Sequence, residues 1–343
     1  MIVSSYTCLA VASGVVAAGA RPVYADIAPG TLNMDANTVS AALTPRVRAI
    51  IVQHTLGEVA PVGAIADLVL GRDVLLIEDC ALAIGSKDAA GPVGRRGAAA
   101  IFSMELSKTL SSGWGGILTI NQPRLAAAVA RLYQELPEQG YLAASRDLWQ
   151  TAISAWCHQP EVYDRVGKYV LYAAFTSGLF RRSTPPEEYA GGFRPDFSRK
   201  MSGATADLAR LQWQDLDDIA ARCAANARVL HSVLRELDLE VTEAREDSVA
   251  VAPRVSFACP ERAGIMAFFR RRGIELGEWF DGPMSPVPTA PQFNYHPGSY
   301  PHAEQLARQV VNLPSHSRLT PVDIAKITNT LNEYYAARFA ISN

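Results

Sequence analysis

The sequence lacks the features of a nucleic-acid-binding, disulfide-bonded or metal-binding protein. Its 32 Lys and Arg stand against 34 Asp and Glu, and a net charge of −2 gives no electrostatic footprint for nucleic acid. The five cysteines are an odd number without close pairs, which argues against a disulfide framework and indicates a reducing cytoplasm. The six histidines show no metal-site spacing. We therefore expect a cytoplasmic protein that has no metal site and no nucleic-acid partner.

Charge is also missing from residues 1–20, because Arg21 is the first charged side chain. A signal peptide needs a positively charged start, which this segment does not have. A membrane span needs a long apolar run, and here Ser4, Ser5 and Thr7 interrupt the apolar residues. The segment is therefore predicted to be a buried strand at Ile2-Val3, a turn and an Ala/Val-rich helix.

Short apolar runs alternate with helical segments over residues 1–136. With 49% hydrophobic and 19% charged residues among 343, the chain is typical of a globular protein with two domains. Continuously apolar strands separated by helices predict an α/β fold with a mainly parallel sheet. The predicted strands are Pro22–Tyr24, Ala49–Val52, Val74–Ile77, Ala100–Phe102 and Gly116–Ile120, and the predicted helices cover residues 9–18, 35–43, 61–70 and 124–135.

Residues 137–197 interrupt this pattern with many aromatic residues and basic residues between them. Aromatic residues mark interfaces in general, so an irregular packed insertion, for example at a subunit interface, is the favoured interpretation. A cover over the active site stays open, and so does contact with a membrane surface, which is not favoured.

The C-terminal part is predicted to be a long helix from Gly203 to Leu239 and then a smaller α/β unit. Its strands are expected at Val255–Ala258, Ile274–Leu276 and Val310–Leu313, and its helices at Glu261–Arg272, from about Pro301 and from Thr320. The predicted domains are accordingly 1–200 and 201–343.

Two residues near strand ends carry the chemistry. Asp79 closes a buried strand, where a carboxylate can hold a pyridine nitrogen protonated and keep the ring an electron sink. Lys108 lies in a Ser/Gly-rich turn after a later strand, where desolvation lowers a lysine pKa and makes the amine a nucleophile toward aldehydes. Together, in this order, they predict a pyridoxal-phosphate site.

The sequence resembles the DegT/DnrJ/EryC1/StrS sugar aminotransferases, which are fold type I enzymes that use pyridoxal 5'-phosphate. The resemblance spans nearly the whole chain except 137–197. It is carried by Ser5-Tyr6-Thr7, Gly19–Val23, Asp26-Ile27, Leu43–Arg46, Ala49–Ile51, His54, Ile77–Asp79, Val93-Gly94, Phe102-Ser103, Lys108, Gly115-Gly116, Lys200–Ser202, Gly273–Gly277, Val311–Pro314 and His316.

The resemblance implies a role for each matching residue. Lys108 would form the covalent bond to the cofactor and carry the proton, Asp79 would pair with the ring nitrogen, and Ser103 would bind the phosphate. It also implies an amino group moved from glutamate to a ketone on a nucleotide-linked sugar. The active sites of the family lie between two subunits, so a homodimer or a partner chain that completes the site is expected.

Three cofactor-contacting positions depart from the family pattern. Cys8 replaces the aromatic residue that stacks on the cofactor ring, and Leu82 replaces a Gln or His. Ser198 stands where the family has an asparagine that reaches the partner's site. The resemblance also begins after an N-terminal segment of the family that cradles the phosphate. A longer protein, a separate chain supplying that segment, and a truncated relative all stay open.

Two further residues are candidates for substrate contact. His54 ends a strand at a family position, and the alternative is a structural histidine with satisfied hydrogen bonds. Trp279 comes after the Gly273–Gly277 segment and could line the sugar site or pack in the core. The sequence predicts an aminotransferase of polysaccharide or glycosylated-metabolite biosynthesis, or else a non-catalytic or partner-dependent subunit of the same fold.

Overall fold

A computed structural model describes residues 1–192, 197–239, 247–288 and 290–339. Its strands are β1 (Ile2–Ser4), β2 (Thr7–Cys8), β3 (Val23–Ala25), β4 (Ala49–Gln53), β5 (Leu75–Asp79), β6 (Lys87–Asp88), β7 (Gly91–Pro92), β8 (Ala99–Ser103), β9 (Gly116–Ile120), β10 (Ser248–Val249), β11 (Arg254–Ala258), β12 (Met284–Ser285) and β13 (Val310–Pro314). Its helices are α1 (Leu9–Ala17), α2 (Ala36–Ala42), α3 (Val62–Leu68), α4 (Pro123–Glu135), α5 (Tyr141–Cys157), α6 (Pro160–Val162), α7 (Lys168–Thr176), α8 (Pro186–Tyr189), α9 (Gly203–Trp213), α10 (Leu216–Glu236), α11 (Arg262–Arg270), α12 (Pro301–Gln309) and α13 (Pro321–Phe339).

The central element is a six-stranded sheet in the order β3-β1-β4-β5-β8-β9. All neighbours run parallel except β9, which is antiparallel to β8. This confirms the mainly parallel α/β sheet, and each predicted strand lies within two residues of its observed bounds. Asp79 pairs with Gln53 on one side and with Ile101 on the other, so the carboxyl ends of β4, β5 and β8 share one edge.

Apolar clusters cover both faces of this sheet. On one face, Met34, Val39 and Ile65 of the α2–α3 region pack against β1, β4 and β5. On the other face, Leu9 and Val15 of α1 do the same. Burying one such side chain contributes about 1.5–3 kcal/mol, so the clusters fix the helices against the sheet. The predicted N-terminal strand and helix are confirmed, since β1 is fully buried and α1 comes after it.

The expectation of an irregular insertion over 137–197 is wrong, because the described part of it folds mainly into α5, α6, α7 and α8 with a π-helical turn at Tyr163–Gly167. Residues 193–196 of the insertion lie outside the described residues. The pattern of α5 is misleading because this helix buries polar Asp147 and Gln150 while Tyr141 and Trp149 are exposed. Asp147 pairs with Arg181 at 2.8 Å and anchors the helix.

The single long helix expected from Gly203 to Leu239 is two helices, since α9 ends at Trp213 and α10 begins at Leu216. Beyond it, β11 and β13 pair antiparallel and pack with α10, α11 and α13 around one apolar cluster. The strand expected at Ile274–Leu276 does not form, and the backbone there makes a single bridge from Gly277 to Asn312. In the part of the chain that the structure describes, no helix combines the length and apolarity needed to span a bilayer.

Contacts tie the first residues of the chain to the segment near its C-terminal end. Strand β12 pairs in parallel with β2, where Ser285 lies opposite Cys8. The backbone N–H of Phe280 donates to the Tyr6 hydroxyl at 2.9 Å. Asp26 accepts hydrogen bonds at 3.0 Å from the amides of His302 and Ala303 at the start of α12. The division into domains 1–200 and 201–343 stays a prediction.

Candidate active site

The predicted residues Asp79 and Ser103 lie at the carboxyl ends of the adjacent strands β5 and β8, and Lys108 lies in the turn after β8. Hydrogen bonds close this turn, with the Met104 amide donating to the Gly115 carbonyl at 2.9 Å. The Ser103 hydroxyl accepts a long bond of 3.4 Å from the Glu105 amide. The parallel sheet therefore brings the three residues to one edge, where ligands bind in open α/β sheets.

Glycines hold the lysine turn against its neighbours. Gly115 has a φ of +102°, and a Cβ there would overlap the side chain of Met201. A Cβ on Gly116 would lie 2.5 Å from the Phe102 carbonyl oxygen, so β9 could not pair with β8. The Gly115-Gly116 and Lys200–Ser202 segments thus meet in space, far apart as they are in the sequence.

Asp79 is a buried carboxylate with one oxygen held and one open. Its Oδ1 accepts a hydrogen bond of 2.9 Å from the Ala81 amide. Among the described residues, Oδ2 has no hydrogen-bond partner. Burial raises the pKa of Asp79, while the Ala81 hydrogen bond and the charges of Lys108 and His54 act in the opposite direction. Such a carboxylate favours a cationic partner, and a protonated ring nitrogen is one that fits.

Lys108 contacts Trp279, with its ammonium nitrogen 5.3 Å from the centre of the indole ring. The guanidinium carbon of Arg254 lies 4.7 Å from the centre of the same ring. The fold thus brings the sequence candidate Trp279 next to the predicted catalytic lysine. Arg254 was missed by sequence reasoning, and the one signal for it was a charged residue at the start of a strand whose other residues are uncharged.

Cys8 and Leu82 form part of an apolar wall at this site. Both belong to a cluster that includes Tyr6, Phe280 and Trp279. Burial raises the pKa of the Cys8 thiol, although the charge of Lys108 acts to lower it, so the group is a neutral thiol near pH 7. The wall therefore offers apolar contact at two of the three positions that depart from the family pattern, without an aromatic ring at Cys8.

Ser198 lies in the loop that precedes α9. Within the described ranges, no hydrogen bond joins it to Asp79, Ser103 or Lys108 of the same chain. The expectation that this position serves a partner chain stays a prediction.

His54 is enclosed and has both ring nitrogens occupied. Its Nδ1 accepts from the Ala60 amide at 3.1 Å, and its Nε2 lies 3.2 Å from Glu78. Three backbone amides also donate to Glu78, those of Gly94, Arg96 and Gly97. Burial acts to raise the Glu78 pKa, but the His54 and backbone hydrogen bonds outweigh it and lower that pKa. This placement favours the structural role of His54 over contact with a substrate.

The ligand atoms of His54, Glu78 and Cys80 lie within 4.8 Å of one another, as the donors of a metal site would. Hydrogen bonds already account for the proximity of His54 and Glu78, and Cys80 lies two residues after Glu78 in the sequence. The cluster is therefore interpreted as an internal polar network beneath the site.

A cavity of about 500 Å³ lies beside the lysine turn. Its lining includes Cys8, Trp279 and Phe280 as well as residues of the 137–197 insertion, among them Phe175 and Arg181. The Arg181 guanidinium stacks 4.3 Å from the centre of the Trp114 ring, which also lines the cavity. The insertion therefore reaches the candidate site.

A sequence model of the DegT/DnrJ/EryC1/StrS aminotransferase family matches residues 1–332. The chain belongs to this family. Membership confirms the resemblance and the fold type I architecture, and it places the chain among pyridoxal-phosphate-dependent aminotransferases.

Relatives of this chain differ in how much of it they match. A pleiotropic regulatory protein of Geobacillus stearothermophilus is 25% identical over 98% of this chain and 78% of its own length. An L-glutamine:2-deoxy-scyllo-inosose aminotransferase of Streptomyces kanamyceticus is 41% identical over 38% of this chain and 31% of its own. A dTDP-4-dehydro-2,3,6-trideoxy-D-glucose 4-aminotransferase of Saccharopolyspora spinosa is 35% identical over 38% of this chain and 34% of its own. The matches to these two named aminotransferases thus span about a third of their length.

The fold recurs in solved structures of aminotransferases. TlmJ of Streptoalloteichus hindustanus superposes with a TM-score of 0.73 at 23% identity, over 98% of this chain and 79% of that one. At this identity the likeness supports the fold.

Proposed function

We propose that this chain transfers an amino group by binding pyridoxal phosphate between Asp79 and Lys108. The observation that carries the proposal is the open Oδ2 of the buried Asp79, beside a lysine in the turn after the next strand of the sheet. When bound, the cofactor supplies an electron-accepting ring that stabilises negative charge on the carbon next to the transferred nitrogen.

The residues of the chain divide the remaining tasks. Asp79 would keep the ring nitrogen protonated, and Ser103 would donate its hydroxyl to the phosphate. Lys108 would hold the cofactor. It would then accept and return the proton that moves between the two carbon atoms on either side of the transferred nitrogen. Cys8 and Leu82 would give apolar contact to the ring, since both belong to the wall beside Trp279.

For the amino acceptor we propose a ketone on a nucleotide-linked sugar, in polysaccharide or glycosylated-metabolite biosynthesis, and for the donor we propose glutamate. The name of the Saccharopolyspora relative supports such an acceptor. The name of the Streptomyces relative supports a keto-inositol as the second acceptor class and glutamine as a second donor. We further propose a cytoplasmic homodimer, or a partner chain that completes the site.

A non-catalytic or partner-dependent subunit is the second candidate function. It is favoured by the absence of an aromatic ring at Cys8, in a wall where the family stacks one on the cofactor. The regulatory name of the Geobacillus relative, which matches 98% of this chain, also supports it.

The test is the visible absorption spectrum of the purified chain with added pyridoxal phosphate, before and after glutamate or glutamine. We expect an absorption band from the lysine-linked cofactor that disappears when the donor is added. Lys108→Ala should abolish the band, while Lys326→Ala, on the exposed face of α13, should leave it unchanged. No Lys108-dependent band would refute catalysis by this chain alone and favour the partner-dependent subunit.

The acceptor is tested next, with the donor-treated protein. A dTDP-linked 4-keto sugar or a keto-inositol is added, and the return of the original band is monitored. Recovery with the nucleotide-linked ketone alone would support the proposed acceptor, whereas recovery with the keto-inositol alone would replace it.

A further inference from the structure

Two cationic side chains lie against one aromatic ring at the edge of the candidate site. The Lys108 ammonium and the Arg254 guanidinium are 5.3 Å and 4.7 Å from the centre of the Trp279 ring. The backbone of Trp279 is fixed by Asn312, whose Oδ1 accepts from its N–H at 2.6 Å and whose Nδ2 donates to its carbonyl at 3.1 Å. The backbone that carries the ring is therefore held in place, and the ring is shared by the catalytic lysine and an arginine.

Arg254 is largely buried but lacks an acidic partner. Among the described residues, no carboxylate lies within the 4.0 Å of an ion pair with it. Burial lowers the pKa of Arg254, and the negative charge of Glu105 acts in the opposite direction. The Glu105 carboxylate is itself held by the amide and the hydroxyl of Ser107, at 2.9 Å and 2.6 Å. A buried guanidinium is costly unless it is paired, which points to an anion from outside the chain.

We propose that Arg254 binds a carboxylate of the amino-acid donor while the amino group of that donor reacts beside Lys108. The inference rests on the proposed amino transfer at Lys108. A guanidinium binds a carboxylate through two parallel hydrogen bonds, which would fix the orientation of the donor as well as its position. Glutamate and glutamine both carry a carboxylate, whereas a neutral keto-sugar ring does not, so Arg254 would act in the donor half of the reaction.

The position of Arg254 favours the donor over a phosphate. The donor nitrogen must reach the place where Lys108 would hold the cofactor, and the α-carboxylate of the donor is attached to the same carbon as that nitrogen. Arg254 meets this requirement because it shares the Trp279 ring with Lys108. It is supplied by β11, outside the six-stranded sheet whose edge carries Ser103, the proposed phosphate ligand. The experiment below also tests whether Arg254 binds a phosphate of the cofactor or of a nucleotide instead.

The experiment compares Arg254→Gln and Arg254→Lys with the matched control Arg270→Gln, which changes an exposed arginine on α11. The donor half-reaction is monitored by absorbance with glutamate, glutamine and isoglutamine, in which the α-carboxylate is an amide. Loss of one charge-assisted interaction should raise the KM for glutamate by about 10- to 150-fold in Arg254→Gln, with a smaller change in kcat. Arg254→Lys should recover part of this loss, and the control should match the wild type.

The donor analogues identify the carboxylate. If the α-carboxylate is bound, the variant and the wild type should use isoglutamine equally poorly, while glutamine should show the full defect. If the γ-carboxylate is bound, the variant and the wild type should use glutamine equally poorly, while isoglutamine should show the full defect. A KM for glutamate that is unchanged in Arg254→Gln would overturn the proposal. A weaker affinity for pyridoxal phosphate with the same KM would instead assign the arginine to a phosphate.

A second readout does not depend on turnover. Glutarate, a dicarboxylate without an amino group, is titrated into the protein while tryptophan fluorescence is recorded, since Trp279 lies at the predicted contact. We expect saturable quenching in the wild type and in Arg270→Gln, and binding weaker by about 10-fold or more in Arg254→Gln. If the wild type shows no Lys108-dependent band, the proposed amino transfer fails, and glutarate binding still decides whether Arg254 is a carboxylate site. Equal glutarate affinity in wild type and Arg254→Gln would refute that site.

Discussion

Replacing Asp79 by asparagine should make the cofactor-free protein more stable and at the same time weaken its binding of pyridoxal phosphate. The two effects have one cause, which is the burial of a carboxylate that is only partly satisfied. The Ala81 amide holds Oδ1, and no described residue holds Oδ2. Asparagine has nearly the same shape and keeps the bond to Ala81, but it carries no charge into the buried site.

The size of the gain depends on two opposing terms. Removing a carboxylate from water without a full set of partners costs about 1–3 kcal/mol, because the charged form is the one that burial disfavours. Asparagine keeps an unpaired Nδ2 and makes a weaker bond to Ala81, and it also loses the attraction between Asp79 and Lys108. We therefore expect a net increase of about 1–2 kcal/mol in the free energy of unfolding near pH 7.

The pH dependence gives the sharper test. Because burial raises the Asp79 pKa above its ordinary value of 3.8, the folded chain holds this proton more tightly than the unfolded chain. The contribution of Asp79 to stability is thus highest below that ordinary value and is lost as the pH rises through the raised pKa. The advantage of Asp79→Asn should be absent at about pH 4 and present at about pH 8.

The assay is urea unfolding of the cofactor-free protein, measured by circular dichroism at each pH. Asp207→Asn, which removes an exposed carboxylate from α9, serves as the control and should show no such change. The dissociation constant of pyridoxal phosphate should rise by about 10- to 150-fold in Asp79→Asn, from the loss of one charge-assisted interaction. A less stable Asp79→Asn, or a difference independent of pH, would refute this account of the site.

Three further predictions concern the surroundings of the site. Glu78→Gln places an amide NH₂ against backbone N–H donors, and we expect the free energy of unfolding in urea to fall by about 3 kcal/mol. The control Glu138→Gln changes an exposed side chain and should show no such loss. Cys8→Phe supplies an aromatic ring beside the cavity and should tighten pyridoxal-phosphate binding by about 2- to 12-fold in a spectroscopic titration. An unchanged affinity would show that no stacking occurs there. Asp147→Ala removes the carboxylate that the buried Arg181 contacts, and we expect a loss of about 3 kcal/mol in the stability of the insertion. Limited proteolysis of residues 137–192 should then be faster than in the wild type. Equal cleavage rates would mean that this pair does not anchor the insertion.

The sheet and its edge could be predicted from the sequence because the signals are local. Continuously apolar runs mark β4, β5 and β8, and a parallel sheet brings the carboxyl ends of these strands, with the turns after them, to one edge. Asp79, Ser103 and Lys108 therefore come together without knowledge of the rest of the fold.

The remaining parts of the site depend on contacts that no local pattern records. Arg254 and Trp279 reach Lys108 from the C-terminal part of the chain, and neither residue type at those positions signals the meeting. The fold of the insertion was missed because α5 buries Asp147 and pairs it with Arg181, so the helix lacks the apolar stripe on which helix prediction depends. His54 was ambiguous for the same reason, since its partner Glu78 is supplied by a neighbouring strand.

The pairing of β2 with β12 also constrains the order in which the chain can fold during synthesis. Strand β2 leaves the ribosome well before Met284 and Ser285, with which it pairs, because the two strands lie far apart in the sequence. In the same way, the hydrogen bond of Tyr6 to Phe280 and those of Asp26 to the start of α12 can form only after these later segments have been synthesised. Contacts of such long sequence separation form slowly, so β2, Tyr6 and Asp26 find these partners late. Until those contacts form, the apolar residues around β2 are open to wrong associations, the kind of exposure that chaperones limit.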